Sequence, residues 1–194
     1  MEQSDKDAVR LALQDRQQFS HIVERYQQPL LRYIQRLGRF DGDTAKDILQ
    51  ETFIKAYIHL NGYDLSLPFS SWIYRIAHNE TMMHFRRQKN RPLVVEQESE
   101  LSLFETIPDE LDIARETDAK LRSQHIARAL QQLKQEYRDI LVLRFFEEKS
   151  YEEISDILEI PRGTVATNLA RGKKALEALL TQEHITDVYY GNNG

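Results

Sequence analysis

Four cations and no acid lie in the stretch from Arg162 to Lys174, although the whole chain has a formal net charge of −5. The cations are Arg162, Arg171, Lys173 and Lys174. Lysine and arginine neutralise phosphate groups, so a local basic run in an acidic chain indicates nucleic-acid contact. The alternative is a helical hairpin with a solvated basic end, because helix-turn-helix patterns also arise by chance.

The basic run lies in residues 150–180, which the sequence predicts to form a helix, a tight turn and a second helix. Ser150 and Glu153 fit a capping box, and Pro161 marks the turn. The second helix has an apolar stripe of Val165, Leu169 and Leu176. Its opposite face carries small and cationic residues, which suits close approach to a major groove. These residues are Gly163, Thr167, Ala170, Arg171 and Lys174.

A second basic segment extends from Phe69 to Arg91, with five bases and one acid. Aromatic residues alternate with these cations along a predicted helix: Phe69, Trp72, Tyr74 and Phe85. Aromatic faces beside cations suit the unstacked bases of single-stranded DNA. The alternative is that the aromatics are core residues and that Trp72 is a structural anchor, since tryptophan buries a large area.

A third helix is predicted from Thr44, where Thr44 and Asp47 fit a capping box. Its apolar stripe leaves Asp47, Gln50, Glu51 and Lys55 largely on the other side. Glu51 and Lys55 have the spacing for an i,i+4 ion pair. The simplest interpretation of this polar face is a solvated surface with a helix cap.

Several kinds of chemistry are not indicated. The chain has no cysteine, which excludes disulfides and thiolate zinc sites. His78 and His84 are not spaced as a metal-binding pair on one helix face. No phosphate-binding, dinucleotide-binding or nucleophile-elbow motif occurs, so we expect neither an enzyme nor a cofactor. No signal peptide or membrane span is expected, which favours the cytoplasm.

Long runs without glycine or proline favour an all-α chain of two small helical domains. We expect domains at residues 1–91 and 112–180, an acidic linker at 92–111 and a flexible tail at 181–194. Between Glu96 and Asp118 there are nine acids and one base, a net charge of −8 that leaves +3 for the rest. Both flanking domains can therefore face DNA. Before Phe19 we expect a short or frayed helix, and at Pro29 a kink or helix junction.

Three blocks in order resemble the extracytoplasmic-function (ECF, group IV) sigma factors of bacterial RNA polymerase. The blocks are DILQETF from Asp47, PFSSWIYRIAHN from Pro68, and SYEEISDILEIPRGTV from Ser150. The resemblance covers roughly residues 19–180. It implies an N-terminal region 2 domain and a C-terminal region 4 domain whose helix-turn-helix reads DNA. A stand-alone helix-turn-helix regulator is the alternative, although it leaves the first two blocks without a role.

The resemblance also implies partners and sites. Core RNA polymerase would be bound at the clamp of the largest subunit and the flap of the second-largest. The clamp-docking residues would be Asp47, Gln50, Glu51 and Phe53. The downstream (−10) element would be recognised and melted by Asn61, Tyr63, Trp72, Arg75, Asn79, Arg86 and Arg87. The upstream (−35) element would be read by Arg162, Thr164, Thr167, Asn168, Arg171 and Lys174. An anti-sigma factor, often membrane-anchored in this family, is the expected inhibitor.

Three positions depart from the family pattern. Ala166 and Asn168 stand where cations are usual, and Lys134 stands where proline is frequent. Because asparagine can bond adenine bidentately, Asn168 is expected to change specificity rather than abolish binding.

The acidic linker generates a first prediction. In the family that this sequence resembles, the linker threads a basic channel built for RNA, where the net charge of −8 between Glu96 and Asp118 would stand in for a transcript. Replacing the linker acids with Asn or Gln should therefore weaken holoenzyme assembly or change the yield of abortive transcripts. Filter binding and gel analysis of short products measure both quantities. No change in either would contradict this role.

Overall fold

A computed structural model describes residues 4–89 and 124–190, and the described residues form helices joined by short turns. In chain order the helices are α1 Asp5–Gln14, α2 Ser20–Leu37, α3 Gly42–His59, α4 Phe69–Lys89, α5 at residues 124–132, α6 Gln135–Phe145, α7 Tyr151–Leu158 and α8 Arg162–Tyr190. Two 3-10 turns lie at Arg16–Phe19 and Leu60–Gly62. This confirms the all-α prediction with its two helical domains. The predicted linker lies outside the described residues.

Helices α1 to α4 form the N-terminal bundle. Helix α1 is an integral part of it, because Ala8, Val9 and Ala12 are buried. Its first residue, Asp5, accepts hydrogen bonds from Arg25 at 2.7 Å and from the Tyr26 hydroxyl at 2.6 Å, both on α2. The short helix expected before Phe19 is therefore anchored to α2 by both apolar and polar contacts.

Two expected helix boundaries differ in the structure. Helix α3 begins at Gly42, and its cap is Asp41, whose carboxylate accepts a hydrogen bond from the Thr44 N–H at 2.6 Å. The capping box predicted at Thr44 and Asp47 is therefore wrong, since the first turn has already formed there. Helix α2 continues through Pro29 without a junction.

Helices α5 to α8 form the C-terminal domain. The predicted capping box of α7 is confirmed: Ser150 N–H donates to Glu153 at 2.9 Å, and Glu153 N–H donates to the Ser150 hydroxyl at 3.2 Å. Glu159 then adopts a left-handed conformation with φ of 55°, which ends α7 before Pro161. Helix α8 continues to Tyr190, so residues 181–190 are helical where a flexible tail was expected.

Buried Arg138 on α6 links the two domains. Its guanidinium donates to the carbonyl of Leu37, the last residue of α2, at 2.8 Å. It also donates to the carbonyls of Leu130, Gln131 and Leu133 at the end of α5, at 2.9 to 3.1 Å. A positive group at two helix C-termini satisfies carbonyls that lack intrahelical partners and complements both helix dipoles.

Gly38, between α2 and α3, allows a close approach of α4. A Cβ atom here would lie 2.5 Å from the Phe85 ring of α4 and 2.6 Å from the Phe40 ring. Glycine is thus required by space, because its φ of −148° is ordinary extended backbone.

We predict that Gly38→Ala destabilises the protein by about 1–3 kcal/mol, because both rings must move to relieve the overlap. Gly42→Ala is the matched control, since a Cβ there meets nothing within 4 Å. Its effect should stay within about 0.5 kcal/mol or be slightly stabilising. Urea unfolding followed by circular dichroism measures both changes. Equal stability of the two variants would contradict the steric explanation.

Candidate functional site

The outer face of α3 carries exposed polar side chains. Asp47, Gln50 and Glu51 are exposed, and none makes a hydrogen bond or ion pair with the described part of the chain. The predicted Glu51–Lys55 pair is wrong. Lys55 instead pairs with Glu80 of α4 at 2.5 Å, because the buried Glu80 carboxylate requires a cation.

An open apolar groove of about 470 Å³ lies beside these polar residues, between α2 and α3. Its apolar lining is formed by Phe19, Val23, Leu49, Phe53, Ile54 and Tyr57. Ile54 remains 42% exposed and the neighbouring Ile58 57% exposed, although both are large aliphatic residues. An exposed apolar patch flanked by unpaired carboxylates suits a protein partner with apolar and cationic side chains.

In the loop at residues 61–68, between α3 and α4, Tyr63 is the one buried side chain, while Asn61, Leu65 and Leu67 are exposed. The Tyr63 hydroxyl donates to the carbonyl of Leu67. Its ring packs against Phe69 and Trp72, with centroid distances of 5.3 and 5.2 Å. Tyr63, predicted from the family to contact DNA, thus lies beneath the loop, and Asn61 lies on its surface.

Helix α4 presents four of the predicted DNA-contacting residues along one stripe. Trp72, Arg75, Asn79 and Arg86 fall within an arc of about 60° at about 100° per residue. Asn79, Arg86 and the adjacent Arg87 are exposed. Trp72 is half-buried and also packs on Phe69 with centroids 5.4 Å apart, so it serves as an anchor while part of its surface stays accessible.

Carboxylates of the C-terminal domain contact the neighbouring side of α4. Glu159 lies 3.4 Å from Arg75, and Asp139 lies 3.1 Å from His78. Arg75 is 31% exposed and Glu159 65%, so solvent weakens their attraction, whereas His78 and Asp139 are largely buried. In this arrangement Arg75 is already paired with an anionic group.

A second contact between the domains, which is part-buried, centres on Glu147. Its carboxylate accepts hydrogen bonds from Arg36 at 2.8 Å and from the Tyr74 hydroxyl at 2.6 Å. The Arg36 guanidinium also lies 4.8 Å from the centroid of the Phe146 ring. Burial, reinforced by Glu147, raises the pKa of Tyr74 well above its usual range, so its hydroxyl remains a donor. The sequence offered no periodicity or motif that pairs Glu147 with α2 or α4.

The predicted DNA-facing side of α8 is exposed. Thr164, Thr167, Arg171 and Lys174 are accessible, whereas Asn168 is half-buried at the edge of the apolar stripe. The Thr167 hydroxyl donates to the Gly163 carbonyl at 2.8 Å. Arg162 forms an ion pair with Glu152 of α7 at 2.8 Å. Glu152 was not anticipated, because residues ten apart on two different helices share no sequence period.

Within the described ranges no cluster of His, Asp and Glu could hold a metal ion. No helix in the same ranges is long and apolar enough to cross a membrane.

We predict that Glu147→Ala destabilises the protein by about 2–4 kcal/mol, since it leaves a largely buried arginine and a buried tyrosine hydroxyl unpaired. Glu177→Ala, an exposed change on α8, should cost less than about 0.5 kcal/mol. Chemical denaturation of both variants measures the difference. Similar stabilities would show that the Glu147 contacts contribute no net stability.

Comparison with known proteins identifies both domains. Residues 22–91 match the model of Sigma-70 region 2, and residues 123–176 match that of Sigma-70, region 4. The ECF RNA polymerase sigma factor SigW of Bacillus subtilis is 33% identical over 171 residues, which cover 86% of this chain and 90% of SigW. The RNA polymerase sigma-H factor of Pseudomonas aeruginosa is 33% identical over 183 residues, covering 92% and 94% of the two chains.

Two solved structures share the fold. CnrH, in complex with the cytosolic domain of CnrY, has a TM-score of 0.69 at 22% identity, over 92% of this chain and 97% of CnrH. The sigma factor RpoE from Bartonella quintana, in complex with the anti-sigma factor NepR, has a TM-score of 0.64 at 21% identity, over 84% and 96%. Together with the alignments over most of both chains, the two matched regions show that this chain belongs to the ECF sigma factors of RNA polymerase.

Proposed function

We propose that this sigma factor docks on the clamp of the largest polymerase subunit through the outer face of α3. The observation that carries this proposal is the exposed set Asp47, Gln50 and Glu51, which has no partner in the described part of the chain and lies beside an open apolar groove. Phe53 contributes to that groove and to the core behind it. Charged side chains at the rim and apolar side chains at the centre are the usual composition of a protein–protein interface.

The −10 element is recognised by the loop after α3 and by the exposed stripe of α4. Asn61, Asn79, Arg86 and Arg87 are accessible to DNA, and Arg75 becomes so when its contact with Glu159 is released. Cations bind the phosphates and set the register of the strand, while the loop and Trp72 receive unstacked bases. Extruding a base costs a few kcal/mol, which stacking and hydrogen bonds in the protein offset.

The −35 element is read by α8 in the major groove. Arg171 and Lys174 bind phosphates, while Thr164, Thr167 and Asn168 lie near base edges. Arg162 is oriented by its ion pair with Glu152. Asn168 replaces a cation common in the family, so base choice at this position relies on amide hydrogen bonds, which suit adenine.

The partners are core RNA polymerase, promoter DNA and an anti-sigma factor. The C-terminal domain contacts the flap of the second-largest subunit. An anti-sigma partner is supported by the two fold neighbours, which were solved with CnrY and with NepR.

We place the chain in the bacterial cytoplasm, where an anti-sigma factor holds it near the membrane, and assign it no catalytic step. A stand-alone helix-turn-helix regulator is not favoured, because relatives with sigma activity align across both domains.

We predict that Gln50→Ala/Glu51→Ala lowers affinity for core polymerase about 10- to 100-fold, because the double change removes two polar contacts from the docking face. Run-off transcription on a pooled promoter library, with core polymerase from the source organism, should then lose its promoter-specific products.

Glu24→Ala/Gln28→Ala, on the exposed side of α2, is the matched control and should transcribe like the wild type. Specific transcripts that survive the α3 change would contradict docking through this face. A specific shift of bare duplex, without any transcript that depends on core polymerase, would favour the stand-alone regulator instead.

A further inference from the structure

The loop at residues 61–68 joins α3 to α4, belongs to the proposed −10 site and is held in shape by its own contacts. Tyr63 is 8% exposed, whereas the other loop residues, among them Leu65 and Leu67, remain exposed. A loop that keeps two leucines in solvent while burying its only aromatic residue places that aromatic as a support.

Tyr63 holds the loop at two points. Its ring packs edge-on against Phe69 at 5.3 Å and tilted against Trp72 at 5.2 Å, which attaches the loop to the first turn of α4. Its hydroxyl donates to the carbonyl of Leu67, four residues along the chain. The two ends of the loop are thereby joined through one side chain.

Asp64 closes the turn between those points. Its carboxylate accepts a hydrogen bond from the Ser66 N–H at 2.9 Å, and its carbonyl accepts one from the Leu67 N–H at 3.1 Å. These bonds set the backbone that carries Leu65 and Leu67. Burial, aided by the nearby carboxylates of Asp5 and Asp64, raises the pKa of Tyr63, so its hydroxyl keeps the donated proton at neutral pH.

From this geometry we propose that Tyr63 is a positioning residue for −10 selection, acting through the Leu67 carbonyl rather than by contacting DNA. The proposal rests on the assignment of this loop to the −10 element. A loop held in one conformation before binding loses less conformational entropy when a base enters. It also presents Leu65 and Leu67 at fixed positions, so bases that fit poorly are rejected more strongly. Without the hydrogen bond from the Tyr63 hydroxyl to the Leu67 carbonyl, the loop changes its conformation to fit several bases.

The test is Tyr63→Phe, which keeps the ring and removes the hydroxyl. Holoenzyme carrying this variant is assayed by run-off transcription on a library that varies each −10 base and holds the −35 element constant. We expect the preference for the best −10 base to fall about 2- to 10-fold, the range equivalent to one hydrogen bond. Preference among −35 variants, measured with a constant −10 element, should not change.

Tyr26→Phe is the matched control. It also removes a buried tyrosine hydroxyl from a hydrogen bond, here the 2.6 Å bond to Asp5, within the same domain. It should lower stability without changing −10 preference. If Tyr63→Phe fails to fold, Asp64→Ala replaces it, because this exposed side chain supports the same turn. Its −10 preference should fall in the same direction.

The positioning role would be overturned if both loop variants kept the wild-type −10 preference, or if Tyr26→Phe lowered that preference as much as Tyr63→Phe does. Either result would leave the proposed −10 site intact. Wild-type holoenzyme without any −10 preference would instead overturn the assignment of the loop, and the positioning role with it.

Discussion

The packing of α4 on two sides is the constraint on which the rest of the structure depends. One side of α4 packs against α2 and α3, where buried Ile73 and Ala77 contribute to the core and Glu80 binds Lys55. Another side meets the C-terminal domain, where Tyr74 binds Glu147. On the remaining side, Asn79 and Arg86 face solvent. The aromatic character of α4 is thus explained mainly by burial, and its exposed cations carry the proposed promoter contacts.

Contact between the domains combines apolar packing, in one continuous core built from residues of both domains, with pairs of opposite charge. The N-terminal domain supplies Arg36 and Arg75, and the C-terminal domain supplies Glu147 and Glu159. The part-buried Arg36–Glu147 contact stabilises the domain interface more than the solvent-exposed Arg75–Glu159 contact does, because water screens the latter.

Local signals were sufficient for much of the fold. Helical periodicity predicted the helices around residues 44–60, 69–89 and 150–180, and the Ser150 capping box was confirmed because its partners are three residues apart. The N-terminal boundary of α3 was mispredicted, since Asp41 competes with Thr44 for the same cap and no sequence pattern ranks them. The extent of α8 was also underestimated, because a position near the C-terminus does not by itself end a helix.

The sequence by itself determined the helical class, the two domains, the basic stripe on α8 and, through its motifs, membership of the sigma family. These properties depend on residues close together in the chain or on blocks in a characteristic order. Only the tertiary structure decided that Lys55 binds Glu80 rather than Glu51, and that Glu147 joins α2 to α4. It also placed Tyr63 beneath its loop. The physical reason is that a buried polar group takes whichever partner packing brings within reach, and sequence separation does not limit that choice.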